Sequence, residues 1–495
     1  MAGGAAPPPS GGFKDIMKPG GLMARSFVVP FCLVTSLFFA WGFAYGLLDV
    51  LNKHFQTVLG ITKTESTGLQ AAYFGIGYFA YSPVAAEVLR RTNYKRTILM
   101  GLALYSLGAI LFWPVAHYSV GSTKPKAIFA GFVLCTAVTA CGLATLEVAA
   151  NSYVTVMRPG NTAAFRLQLS QSFNGVASFA GPFIASKYFF SGSNANNLTN
   201  VQFVYMAVSG LGVVIAVLFM MFSLPEVSEE ELQAEANELA DNGNTNQDED
   251  PQLAKPFIRQ YRPILAFVCQ FMYVGAQVNI GSFFINYVTE NATYSSAEAS
   301  NLLSYALILF TVGRFVSCAL LSVFSASLVL MCNAFICCVI SVCIACLRGK
   351  GAVACVMLIM FFESCQYPVI FVLGTQGLGR HTRRAAGLLV QGVVGGAVFP
   401  PIQGAIADRY GTRVSYWVVF PAFVYITLFA GVMWWKNGRQ FTASGESNIN
   451  RQARLAGATD GGYPAQETAA YITGGHSIDE KDKSYEIQHI ESKRF

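Results

Sequence analysis

AIFAGFVLCTAVTACGLATLEVAANSYVTVMRPG, residues 127–160, is an apolar run with one charge inside it before Arg158 near its end. Glu147 is the sole charged residue between Lys126 and Arg158. Roughly 20 apolar residues are enough to cross a bilayer as a helix. In hydrocarbon only helices and closed barrels satisfy every backbone group. An ionised carboxylate there costs at least about 2.5 kcal/mol, so an acid in such a place points to a function. The pattern recurs near the start of the chain, where Asp49 is the sole charge between Arg25 and Lys53. Desolvation disfavours the charged form of a carboxylate, so either acid can hold a proton near neutral pH.

Working outward, 53% of the 495 residues are apolar and 12% are charged, against about a quarter charged in soluble domains. The apolar residues gather into twelve segments, at about 27–51, 66–88, 97–116, 127–150, 166–186, 202–224, 263–288, 297–321, 327–347, 352–373, 385–406 and 414–435. The fold class is therefore an all-α membrane protein with twelve transmembrane helices. Residues 1–24 lack signal-peptide architecture, and the apolar run after them is too long for an h-region. Twelve spans put both termini on one side. Lys14, Lys18, Arg25, Arg90, Arg91, Lys95, Arg96, Arg158, Arg166, Arg380, Arg383 and Arg384 share that side, and fewer cations fall on the other. The positive-inside bias places the termini in the cytosol. Two sequons, at Asn197 and Asn291, fall in loops on the opposite side and are glycosylation candidates.

Most of the 12 cysteines lie within spans, where they pack as small apolar residues. No Cys-x-x-Cys pair stands beside a His with zinc-like spacing. No GxxxxGK[ST] phosphate loop is present, which argues against ATP-driven pumping. The expectation is a transporter and not an enzyme, with no cofactor, no metal and no nucleic-acid partner.

The chain divides into a flexible head (1–26), a six-helix half (27–224), an acidic linker (225–262), a second six-helix half (263–436) and a polar tail (437–495) whose composition reads as disordered. The halves echo each other. Glu147 lies in span four and Glu363 in the equivalent span ten. Basic loops follow both, leading to QSFNGVASFAGP (171–182) and VQGVVGGAVFPP (390–401). Gly77-Tyr78-Phe79 in span two is matched by Gly313-Arg314-Phe315 in span eight. Two six-helix pseudo-repeats are the organisation of the major facilitator fold, whose binding site lies near the midplane between them.

Counting at 1.5 Å per residue puts Asp49 about 15 Å to the outside of its segment's midpoint and Glu147 about 7–8 Å to the cytosolic side of its own. Asn151 shares the face of Glu147 at i+4. Gln168, Gln171 and Asn174 are spaced by three along span five. Gln277 and Asn279 in span seven, with Gln366, Gln391 and Gln403, add further amides. Amides and carboxylates that donate and accept hydrogen bonds suit a polyhydroxyl ligand. Trp41, Tyr45, Tyr73, Phe283 and Tyr367 offer rings for its apolar face. A bond between helices is the competing reading for any single amide. Glu363 is read as facing a neighbouring helix in preference to a third coupling acid. Arg314 is read as a helix cap or carboxylate partner, and Glu87 with Arg90 and Arg91 as an interfacial gate or brace.

These residues resemble the fucose permease (fucose:proton symporter) family of the major facilitator superfamily. The resemblance rests on FFAWGFAYGLLDVLNKHFQ (38–56), LEVAANSYVTVMRPG (146–160), FRLQLSQSFNG (165–175), FMYVGAQVNIGSFFINYV (271–288), YPVIFVLGTQGLGRHTRRAAG (367–387) and GGAVFPPIQGAIAD (395–408). It implies sugar uptake coupled to protons, with Asp49 and Glu147 as the protonatable pair, Gln171 and Asn174 as sugar contacts and Asn151 as the Asn that follows the span-four Glu. Bacterial members tend to carry Asn where Tyr45, Gly46 and Leu48 stand, Pro where Ser152 stands and Glu where Gln277 stands. Fucose, glucose, galactose or a similar sugar all remain open. The hydrophilic linker and tail and the sequons imply a eukaryotic, fungal member.

The expected function is proton-coupled uptake of a neutral monosaccharide by alternating access, as a monomeric transport unit in the plasma membrane. Proton coupling is placed on Asp49 and Glu147. Substrate binding is placed on Asn151, Gln168, Gln171, Asn174, Gln277, Asn279, Tyr367, Gln391 and Trp41. A facilitative sugar carrier without coupling and a non-transporting nutrient sensor are the rival readings.

Overall fold

A computed structural model describes residues 25–59, 68–119, 124–157, 162–184, 199–228, 230, 232–233, 256–437 and 439–443. Asn197 and the side chains of Tyr45 and of 48–58, Asp49 among them, lie outside the described residues. The regular secondary structure among the described residues is all helical, apart from one isolated bridge between Phe324 and Thr442.

Span one is Arg25–Leu59, span three Tyr94–His117, span four Pro125–Val156, span five Ala163–Ile184 and span six Thr199–Met221. Span two joins a π-helical segment, Ala71–Ala80, to Ser82–Arg91. In the second half, span eight is Ser296–Val323 and span nine Ala326–Cys346. Spans seven (Tyr261–Ser282, Phe284–Asn291), ten (Lys350–Glu363, Gln366–Thr375) and eleven (Thr382–Gln391, Gly395–Tyr410) are each broken. Span twelve ends in Phe420–Lys436.

Nine helices among the described residues are long and apolar enough to cross a membrane. The other three of the twelve segments fall short for visible reasons. Span one is apolar over Val28–Ala44, the stretch of it whose side chains are continuously described. Span two is divided at Tyr81. Span five is diluted by Gln168, Gln171 and Asn174.

Local signals fix several ends. Asn93 caps span three by accepting from Arg96 N at 2.8 Å. Ser295 and Glu298 form a capping box at the start of span eight, satisfying donors that a helix N-terminus otherwise leaves free. Small residues set the packing distance, because in lipid close van der Waals contact holds helices together. Gly142 of span four lies against the backbone of Tyr105, and Gly108 of span three against that of Thr139. Gly275 and Gly395 bring spans seven and eleven together in the same way, against Phe399 and Phe271. Gly142→Val is therefore expected to cost on the order of 1–3 kcal/mol through overpacking. The check is the thermal midpoint of the protein in detergent, and an unchanged midpoint would show that spans three and four part without strain.

The two sets of six spans meet through spans five and eight and through spans two and eleven. Polar contacts tie the halves at the arginine-rich end. There Arg383, only 5% exposed, donates to Leu89 O at 3.1 Å and Val227 O at 2.8 Å and lies over the Tyr94 ring. Arg166 donates to Val154 O and Thr155 O. Glu226, at the start of the linker, accepts from Tyr94 N and Lys95 N at the beginning of span three. Arg90 and Arg91 both bond Glu87 within their own helix, at 2.6–2.9 Å. All the cysteines are free.

Candidate functional site

A cavity of about 160 Å³ lies between the two sets of spans. At 10–15 Å³ per water-sized group, that holds on the order of ten such groups, the scale of a monosaccharide. Its lining on span five runs from Gln171 to Phe179, and on span eight from Arg314 back to Leu307. Both runs lead away from the arginine-rich end, so the cavity lies on the far side of that seal.

Glu147 forms one part of the floor and is 1% exposed. Tyr367, from span ten, donates its hydroxyl to Glu147 Oε1 across the two halves. Tyr78 and Asn151 flank the same carboxylate. Glu147 Oε2 has no partner, and no lysine or arginine among the described residues bonds to it. Tyr78 reaches the site because its segment is π-helical. Residues five apart share a face there, so the Tyr73 and Tyr78 hydroxyls meet at 3.2 Å.

Arg314 forms the other part of the floor. It is 5% exposed and donates to Gln171 O and, at 3.0 Å, to Asn174 Oδ1. Its guanidinium stands 4.7 Å from the Phe310 ring centre. Gln168 Nε2 donates to the Arg314 carbonyl at 3.0 Å. Asn174 Nδ2 also donates to Phe38 O at 3.1 Å, tying span five to span one.

The walls offer unpaired polar atoms of both kinds. Gln171 Nε2 and Arg314 Nε are buried donors without acceptors, and Glu147 Oε2 is a buried acceptor without a donor. Buried polar groups are nearly always paired, so three orphans on one cavity call for a ligand or water. Hydroxyls both donate and accept, and meet all three. Trp41, Tyr73, Phe74, Phe179 and Phe310 supply the apolar faces.

Of the residues expected from sequence, Glu147, Trp41, Gln171, Asn174, Gln277 and Tyr367 line this cavity together. Asn151 stands behind it, beside Glu147 and fully buried. Gln168, Asn279 and Gln391 are not in the lining. Gln168 bonds span eight, and Gln391 donates to Phe79 O at 2.9 Å to join spans eleven and two. Asn279 is buried with neither side-chain atom bonded. Asn291 donates to Tyr287 O within its own helix. The Asp49 side chain lies outside the described residues. Ser178, Phe310 and Thr311 line the cavity without having been singled out. Arg314, expected as a cap or carboxylate partner, instead faces the cavity and bonds a carbonyl and an amide. Its signal was present, since it is the sole charge between Glu298 and Arg348.

Residues 31–393 match the sequence profile of the Major Facilitator Superfamily. A glucose/galactose transporter of Brucella abortus is 32% identical over 80% of this chain and 92% of its own length. The L-fucose-proton symporter of Escherichia coli is 30% identical over 84% of this chain and 95% of its own. Among solved structures, the transporter FucP in its outward conformation superposes with a TM-score of 0.71 at 28% identity, covering 83% of this chain and 99% of that one. The proton:xylose symporter XylE, at 15% identity and a TM-score of 0.61, shares the fold. With its twelve spans, its central cavity and these relatives, the chain belongs to the Major Facilitator Superfamily and, within it, to the fucose permease family.

Proposed function

We propose that the chain is a secondary active transporter that takes up a neutral monosaccharide with protons by alternating access. The observation that carries this reading is the cavity floor. A buried carboxylate to which no lysine or arginine among the described residues bonds shares a hydrogen bond with the opposite half, beneath walls of unpaired amide and guanidinium groups. Such a carboxylate is tolerated as a neutral acid and costly as an ion, so binding and losing a proton changes what the closed floor costs. Relatives named as a glucose/galactose transporter and as an L-fucose-proton symporter support the same substrate class.

In this reading Glu147 and Asp49 carry the proton coupling. Gln171, Asn174, Gln277 and Tyr367 bond the sugar, Trp41 stacks on it and Asn151 orients Glu147. Gln168 and Gln391 hold the seal between halves, and Asn279 packs behind the site. The domain boundaries follow the two six-span halves, 27–224 and 263–436, with head, linker and tail around them. The arginine-rich end faces the cytosol together with both termini, and the cavity opens to the outside. The protein works as a monomer in the plasma membrane. The linker, the tail and the sequons at Asn197 and Asn291 fit a eukaryotic, fungal source.

The test is uptake of labelled fucose, glucose and galactose into proteoliposomes with and without an inward proton gradient. Accumulation of at least one sugar above its external concentration, collapsed by a protonophore, is the expected result. Sugar that only equilibrates, whatever the gradient, would overturn the coupling.

A further inference from the structure

Glu147 is not the only carboxylate sealed inside the molecule. Glu363 ends the first part of span ten, is fully buried, and neither of its oxygens has a hydrogen-bond partner. The groups in electrostatic reach are Tyr273 on span seven, Cys337 on span nine and Tyr416 at the start of span twelve. Cys365 lies two residues on along its own span. None of these carries a positive charge. On the neighbouring span eight, Arg314 lies near Tyr273, with its guanidinium committed to Gln171 and Asn174 of the other half. An ion in this position would be uncompensated, at a cost of several kcal/mol. Glu363 is therefore held as the neutral acid in this conformation.

The acid is not isolated from the transport site. The Tyr273 hydroxyl is buried without a partner. Its ring centre is 6.3 Å from that of Tyr367, whose hydroxyl bonds Glu147. Tyr273 is thus within electrostatic reach of Glu363 and packed beside Tyr367, while its hydroxyl bonds neither of them in this conformation, so a proton passes between the two acids only when side-chain movement or a water closes those gaps. Span ten is broken at Ser364 and Cys365, between Glu363 and Tyr367. Breaks of this kind occur inside membranes where backbone borders a buried or wet site. The broken span ten is also the counterpart of span four, so each half carries one sealed acid on its equivalent helix.

We infer that Glu363 binds and releases a second proton in each transport cycle, with Tyr273 and Tyr367 as its path to the cavity. When Glu147 is ionised, Tyr367 gives its hydroxyl proton to Glu147, Tyr273 gives its own to Tyr367, and Glu363 gives its own to Tyr273. Glu147 becomes neutral and Glu363 ionised, with both tyrosines unchanged. Repetition after Glu147 discharges delivers both protons. This rests on the proton-coupled reading above.

The test is thermodynamic, so it does not depend on expression level or turnover. Proteoliposomes are held at zero membrane potential with one unit of pH difference, and the sugar ratio at which net flux stops is measured. One proton per sugar holds a ratio of about 10 and two protons about 100. The parent protein is expected near 100, Glu363→Gln near 10 and Glu363→Asp, which keeps the acid, near 100. Tyr273→Phe is expected to slow the approach to the same final ratio. Equal ratios for the parent and Glu363→Gln would overturn the inference, as would a parent ratio near 10, which decides the matter even if Glu363→Gln does not reconstitute. Tyr273→Phe at the parent's rate would overturn the path. A parent ratio near 1 is a different failure, that of proton coupling itself.

Discussion

Glu147→Gln is expected to lower the steady-state accumulation of sugar by roughly 50-fold at a membrane potential of 100 mV for each proton that passes through Glu147. Each proton carried inward through that potential contributes about 2.3 kcal/mol, and about 1.4 kcal/mol is a factor of ten in concentration. A glutamine keeps the shape of the protonated acid and can still accept from Tyr367, which bonds Glu147 across the halves. The variant should therefore close its floor as the protonated parent does, and sugar-for-sugar exchange should persist. The sign of the pH effect follows from binding. In the parent, the loaded state must take up a proton, so uptake falls as external pH rises. In Glu147→Gln that proton is not needed, and exchange becomes flat with pH over the same range. Parallel measurements of accumulation and of exchange across pH separate the two consequences. A variant that accumulates sugar like the parent, with the same pH dependence, would remove Glu147 from the coupling. Tyr367→Phe is a milder form of the experiment. It deletes the donor that holds Glu147 to the second half, leaves the acid in place, and is expected to retain a pH dependence while weakening sugar binding, read as a raised KM.

Much of this site was legible in the sequence because membrane helices expose a simple rule, that a charge or amide in an apolar run has to be accounted for. The rule picked out Glu147, Gln171, Asn174 and Gln277, which meet at one cavity. It erred where position on the helix was ignored. Gln277 and Asn279 are two residues apart and so about 200° apart around a helix. One faces the cavity and the other cannot. Gln168 and Asn174 are six apart and about 120° apart, so Gln168 falls at the edge of span five and bonds span eight instead. Tyr78 was hidden for the opposite reason. On an α-helix it would point well away from Tyr73, and the π-helical segment that aligns them has no sequence signature strong enough to read. Glu363 is fully buried, and its lack of any hydrogen bond is a property of the packing around it and not of its span.

Arg314 carries the second large effect, because its contacts join the two halves and would be lost when spans five and eight part. It joins span eight to span five through Gln171 O and Asn174 Oδ1. Hydrogen bonds from a charged donor contribute about 1.5–3 kcal/mol each, and these two act only on one side of the conformational equilibrium. A ligand or a mutation shifts such an equilibrium by its differential interaction with the two states. Arg314→Gln should therefore favour the state opened at the arginine-rich end by about 3 kcal/mol or more, on the order of 100-fold. Cys318 is a native reporter. It is 6% exposed, one turn from Arg314, with its sulfur 3.7 Å from Ser172 Oγ in the same seam. Parting of spans five and eight exposes it. Alkylation of Cys318, followed by peptide mapping to separate it from Cys32, Cys332 and Cys346 at the surface, should quicken by about 10–100-fold in Arg314→Gln, since the rate tracks the open population. Sugar affinity from the cavity side should fall in the same variant, because the competent state is then a minor one and apparent affinity scales with its population. Both effects have one cause and should move together. A faster Cys318 with unchanged affinity would mean local loosening of span eight, and an unchanged Cys318 would mean that the seam is held by Arg383 and its neighbours, with Arg314 serving the sugar alone.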